Sequence, residues 1–259
     1  MQLHKITCRH RGIVIYSIIY LLAFAIVEYL TFYVNNFVGQ LLNFIILVSL
    51  ITNSALSQDK KQSDLWLALG LVPLIGIISQ VMPQVGITQI YRFLFISLPF
   101  FIGIILVMRT LKYSLNDIGF NLNNILIQIL LSFEGMLLGP IGFLILLPQA
   151  FTQSLSFPVV VPPILILLFA TGFTEEMAFR GVMQRAAQAL GSWGWLYIAA
   201  VYAILQIGHR SLLFVLLALL ISIYFGWIVK KTQSISGVIL AHGLFNIGLY
   251  LILPHVYRG

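Results

Sequence analysis

The chain has 259 residues, of which 60% are hydrophobic and only 8% charged, with a mean hydropathy of +1.03. Soluble domains carry about a quarter charged residues, so this composition excludes a soluble globular protein. The net charge of +7 comes from basic residues scattered singly between apolar runs, a spacing that suits orientation in a membrane and not a surface that tracks nucleic-acid phosphates. A single cysteine, Cys8, excludes an internal disulfide and any cysteine-based metal cluster.

A short basic head with Lys5, Arg9 and Arg11 precedes the first apolar run, Ile13 to Val34. That run is long for a signal-peptide core and lacks a small-residue cleavage site, so it reads as a first membrane helix. Eight further candidates follow at 37–56, 65–83, 90–108, 123–148, 159–190, 194–208, 211–230 and 234–253. Apart from 194–208, each is near the 20 residues that span a hydrocarbon core, or longer. Asn35-Asn36, Pro83, Pro158, the Gly191–Gly194 turn and Thr232–Ser234 punctuate them. The prediction is an all-α, polytopic membrane bundle of about eight or nine spans. Residues 1–122 form an N-terminal set of helices with a short interfacial piece, and residues 123–259 form the core that carries function.

Charge settles an orientation. With the N-terminus in the cytoplasm, inside loops hold Lys5, Arg9, Arg11, Lys60, Lys61, Arg109, Lys112, Arg185, Lys230 and Lys231. Outside loops hold Arg210 and Arg258, with Arg92 near a helix start. This bias predicts a multi-pass protein with a cytoplasmic N-terminus. Trp66, Trp193, Trp195 and Trp227 are expected at the cytoplasmic interface.

Gly172 to Gly181, G-F-T-E-E-M-A-F-R-G, concentrates what the composition otherwise avoids. Two of only seven acidic residues stand side by side there with an arginine. An ionisable group at bilayer depth costs about 2.5–3.5 kcal/mol on insertion scales, so it needs a partner, a cavity or a task. On a helix Glu176 and Arg180 are i and i+4 and can pair, leaving Glu175 about 100° away to face a neighbour. The last apolar segments add His209, His242 and Asn246, the last two again i and i+4. Glu175 and His209 each lie 17 residues from the turn at Ser192. An antiparallel hairpin would bring them together about 26 Å from that turn. His242 lies ten residues past Thr232, only about 15 Å from its own turn. Either the first hairpin projects further or the final helix starts deeper. The expectation is a cavity among the last four helices.

The set makes sense as a hydrolase. A carboxylate shielded from water becomes a competent general base, and an adjacent imidazole can share its water. Amide and imidazole N–H groups suit an oxyanion on a scissile carbonyl. There is no G-x-S-x-G, Cys8 is remote, and H-E-x-x-H is absent.

E-E-x-x-x-R at Glu175–Arg180, a histidine at 209 and H-x-x-x-N at His242–Asn246 resemble the three motifs of the CPBP (Abi) family. That family comprises the CAAX prenyl endopeptidases and bacterial proteins linked to bacteriocin processing or immunity. Y-S-L-N-D-I-G-F at Tyr113–Phe120 is similar to a looser family feature. The resemblance implies that Glu175 is the general base, His209 its partner in activating water, and His242 with Asn246 the oxyanion donors. Glu176 and Arg180 would support or orient. It also implies no cofactor, a membrane-associated peptide or protein substrate, and a bacterial plasma membrane as the location. The chain departs from the family's F-x-x-x-H, placing Leu205 where phenylalanine is expected; the apolar packing is kept.

Plainer readings exist for each residue. Glu176–Arg180 alone is an ion pair, and Glu175 alone a water-facing carboxylate. His209 beside Arg210 could be interfacial, and His242 with Asn246 interhelical glue. Glu28 and Glu134 read as structural partners or cavity-lining groups, and His255 as packing. Three other functions compete with the glutamate-dependent protease. One is a zinc protease using the same residues. Another is a non-catalytic immunity or scaffold protein. The third is a proton-coupled transporter, against which the absence of an internal repeat counts. The sequence carries no signal for oligomeric state.

Overall fold

The computed structural model describes residues 2–82 and 88–258, with side chains over 12–82 and 88–257. The expected break at Pro83, and the side chains of Lys5, Cys8, Arg9, Arg11 and Arg258, lie outside the described residues. Among those described, every regular element is helical, and eight helices are long and apolar enough to cross a membrane. The chain is an integral membrane bundle.

The helices are α1 (Gly12–Val34), α2 (Asn36–Leu56), α3 (Lys60–Val81), α4 (Gln89–Leu111) and α5 (Ile125–Leu146). A 53-residue run, Phe157–His209, follows. It divides at Gly191, whose φ of 76° and ψ of −147° no helix accepts and side-chain-bearing residues rarely adopt. We label its limbs α6 (157–190) and α7 (194–209). The chain closes with α8 (Leu212–Thr232) and α9 (Ser236–Tyr257). The eight-or-nine ambiguity is thus one hairpin whose turn is itself tightly wound.

Lipid-facing helices expose large apolar side chains on one side, such as Leu126, Leu130 and Leu137 of α5. α9 is the exception. It is the most buried span, wedged between α5 and α6. Small residues allow that approach, as in other membrane bundles. A Cβ on Gly172 of α6 would lie 2.5 Å from the Ile239 carbonyl oxygen of α9. The first turn of α9 is tied to α5, where Gln128 Oε1 accepts from the Gly237 N–H at 2.7 Å.

The segment between α4 and α5 is an anchored plug. Ser114 donates to Asp117 Oδ2 through its N–H at 2.9 Å and its hydroxyl at 2.7 Å. Arg185 of α6 donates to the Asp117 carbonyl at 2.7 Å and to Oδ1 at 2.9 Å. The Gly119 carbonyl accepts from the Ile235 N–H at 2.8 Å. Ser234 and Ser236 both donate to the Asn121 carbonyl. The Ser114 hydrogen bonds, then burial working against them, then the Arg185 guanidinium set the Asp117 carboxyl, with a net shift below the usual range.

One tryptophan packs inside the bundle. Trp66 is buried, its ring 5.5 Å from that of Tyr20. Trp195 lies beneath the Lys230 ammonium at 5.5 Å. Trp193 and Trp227 are exposed.

Candidate active site

The glutamates sit where α6 is least regular. Residues Leu168–Phe173 and Met177–Met183 are wound as π-helix, on either side of a short α turn, Thr174–Glu176. Such turns are rare and recur at functional sites. At the first, the Thr174 N–H and hydroxyl both reach the Phe169 carbonyl, five residues back. The widened turns let Glu175 and Glu176 project toward α7 and α9.

Glu176 is fully buried, and its Oε1 carries two charge-assisted contacts. Arg180 Nη1 donates to it at 2.8 Å, and His242 Nδ1 lies 2.7 Å away. The i, i+4 pairing read from the sequence is therefore present. Arg180 is itself held by Ser222 of α8 at 3.0 Å and stacks over the Tyr202 ring, 4.5 Å from its centroid. A pair this deep offsets its desolvation only through such geometry and added hydrogen bonds.

The Glu176 carboxylate takes the Nδ1–H of His242, which turns Nε2 toward Glu175. Nε2 lies 4.0 Å from Glu175 Oε2. Between them stands the Tyr202 hydroxyl, 3.3 Å from each. Glu175 keeps 22% of its side chain accessible, against none for Glu176. It faces a cavity of about 100 Å³, also lined by His209, His242, Asn246 and Tyr202. That volume accommodates several waters.

All six residues singled out in the sequence line this cavity. Their grouping differs in one respect. Glu175 hydrogen-bonds Tyr202, whereas His209 lies exposed at the rim with its ring 4.6 Å from Phe214. The symmetric count from Ser192 assumed a uniform rise. The π turn of α6 advances less per residue, while the 3-10 turn Leu205–His209 advances about 2.0 Å per residue. Both shifts set Glu175 opposite a residue earlier in α7. Tyr202 precedes His209 by seven residues, two helical turns on the same face.

The depth of His242 is resolved by the plug. Gly181 packs on Ile118, and Ile235 bonds the adjacent Gly119. Measured from that shared level, Glu176 stands five residues up α6 and His242 seven residues up α9. They agree because the α6–α7 hairpin projects past the start of α9.

Elsewhere, Glu134 accepts from the Tyr224 hydroxyl at 2.6 Å and His255 contacts Thr152 at 3.2 Å. Glu28 is buried. Among the described residues, no group of three or more His, Cys, Asp or Glu forms a metal-binding cluster.

Residues 157–248, which hold the whole constellation, match the family described as type II CAAX prenyl endopeptidase, Rce1-like. This segment resembles that family. The Rce1-like match spans less than half of the chain and supports, at the level of the family, a CAAX-type membrane endopeptidase. No curated protein and no solved structure gives a match.

Proposed function

We propose that the chain is an intramembrane endopeptidase in which Glu175 activates a water against a peptide carbonyl. The observation that carries this reading is the pairing of two unlike carboxylates around one imidazole. Glu176 is buried and committed, whereas Glu175 opens on the cavity. Glu175 takes a proton as the water oxygen attacks. The tetrahedral oxyanion receives hydrogen bonds from Tyr202 and the Asn246 amide, and from His242 Nε2 once that nitrogen has taken the proton from Glu175. The C–N bond breaks as the leaving amine takes from His242 Nε2 the proton that Glu175 passed to it. Glu176 holds the imidazolium that forms, as the buried aspartate does in a serine-protease triad. His209, at the rim, orders water or substrate entering the cavity.

The substrate is a membrane-associated peptide or protein, prenylated or lipid-embedded, acted on in the bilayer. The chemistry assigned to Glu175, Tyr202 and His242 needs no metal. Unchanged turnover after prolonged treatment with a tight chelator is the expected result, and loss restored by zinc would reinstate the zinc reading. The decisive experiment is a mass-spectrometric census of new protein termini in host membranes, wild type against Glu175→Ala at equal expression. Termini present only with wild type are expected. Identical censuses, with both proteins folded, would return the chain to a non-catalytic immunity or scaffold role.

A further inference from the structure

Two cavities lie at different levels of the bundle and share one lining residue. The site cavity takes Phe214, Leu217, Ala218, Ile221 and Phe225 from the first two-thirds of α8. A second, polar cavity of about 680 Å³ takes Val229, Lys230 and Gln233 from its far end. The same order holds along α6. Thr171, Glu175 and Glu176 line the first cavity, and Gly181, Gln184, Arg185 and Gln188 the second. Arg180 lines both. Its buried ion pair with Glu176, its hydrogen bond to Ser222 and its packing on Tyr202 and Phe225 form a partition.

The two ends differ in charge. Among the described side chains, Lys60, Lys61, Arg109, Lys112, Arg185, Lys230 and Lys231 lie at the end of the polar cavity, and Arg92 and Arg210 at the other end. Positive charge flanking membrane helices is retained in the cytoplasm. The polar cavity therefore faces the cytoplasm. Glu175, His209, His242 and Asn246 all lie beyond the partition, and His209, the exposed one, closes the outer end of α7. The approach to the site is also apolar and aromatic, with Phe93, Phe214, Leu217, Phe245 and Tyr250 around it.

We infer that the site opens toward the non-cytoplasmic side, and that its substrate is a peptide segment in the outer half of the bilayer with apolar residues flanking the scissile bond. The substrate part of this inference rests on the hydrolytic reading above; the direction of opening does not. A cytoplasmic C-terminal tail would meet the polar cavity and the Arg180 partition before any of the reacting groups.

Single-cysteine labelling of the full chain tests it. In a Cys8→Ser background, Ser154→Cys marks the outer loop, Ser192→Cys the α6–α7 turn, and His209→Cys the cavity rim. All three positions are exposed. With a membrane-impermeant maleimide on spheroplasts of an expressing bacterial host, Ser154→Cys and His209→Cys are expected to label at least fivefold more than Ser192→Cys. Ser192→Cys should reach their level only after lysis. Labelling of Ser192→Cys in intact spheroplasts, with the other two protected, would overturn the inference whatever the enzyme does. The terminus census supplies the second arm. Glu175-dependent termini in non-cytoplasmic or outer-leaflet segments support the substrate assignment, and termini confined to cytoplasmic tails overturn it. Outward labelling without any Glu175-dependent terminus would sink hydrolysis and with it the substrate, leaving the direction of opening in place.

Discussion

The Tyr202 hydroxyl is the sharpest test of the chemistry, because it can be removed without disturbing the ring. Tyr202→Phe keeps the stack under Arg180, at 4.5 Å, and the edge contact with Phe179, at 5.0 Å. It deletes one O–H that lies 3.3 Å from both Glu175 Oε2 and His242 Nε2. A hydroxyl has one proton, so in the resting site it donates to only one of these at a time. A typical hydrogen bond contributes about 0.5–1.5 kcal/mol net, and 3.3 Å is long for an O–H donor. The ground-state loss is therefore about 1 kcal/mol, or 2–4 °C in melting temperature for a protein of this size class. The transition-state loss is larger, because removing one oxyanion donor costs about 2.7–4 kcal/mol, or 10²–10³ in kcat. Steady-state kinetics on a peptide spanning a cleavage site from the terminus census, with protein in liposomes, should show kcat down about 100-fold and KM within threefold. A kcat within threefold of wild type would remove Tyr202 from the reaction. Parallel collapse of melting temperature and kcat would make it a structural residue.

Three further outcomes follow from contacts around the site. Glu176→Gln strips the charge from an oxygen shared by Arg180 and His242 and should destabilise by about 3–5 kcal/mol, read by thermal unfolding in detergent. Pairing it with Arg180→Met should recover part of that loss, and a fully additive double variant would refute the coupling. Gly172→Ala sets a Cβ 2.5 Å from the Ile239 carbonyl oxygen, forcing α9 away; a loss of about 1–3 kcal/mol is expected, and an unchanged melting temperature would refute the close packing. The Asp117 carboxyl titrates below its usual value of about 3.9, so its contribution to anchoring the plug is complete above that value and lost as pH falls through the lower folded one. Unfolding curves from pH 7 downward should therefore converge for wild type and Asp117→Asn in acid and diverge above about pH 4. Curves that stay parallel throughout would refute the assignment.

Much of the fold is legible because the membrane imposes it. A backbone in hydrocarbon must satisfy its own hydrogen bonds, so long apolar runs become helices whatever their details. Glycine at 191 marks the one turn that apolarity conceals. The burial of Trp66 was not legible. An indole at a span's end looks the same whether it faces headgroups or the Tyr20 ring, and only packing among α1, α2 and α3 decides it.

The candidate site shows the complementary limit. Charged residues in an apolar chain announce themselves, and so Glu175, Glu176, Arg180, His209, His242 and Asn246 could be found together without coordinates. Tyr202 could not, since tyrosine is an ordinary membrane residue and its hydroxyl becomes informative only once Glu175 and His242 are seen within 3.3 Å of it. The shift from His209 to Tyr202 as the neighbour of Glu175 has the same origin. Helical counting assumes one rise per residue, and the π and 3-10 turns of α6 and α7 break that assumption beside the reacting groups. Irregular winding shifts a contact along a helix while leaving every motif intact. The residues of such a site can therefore be read from spacing, but the division of labour among them depends on the local winding of the helices that carry them.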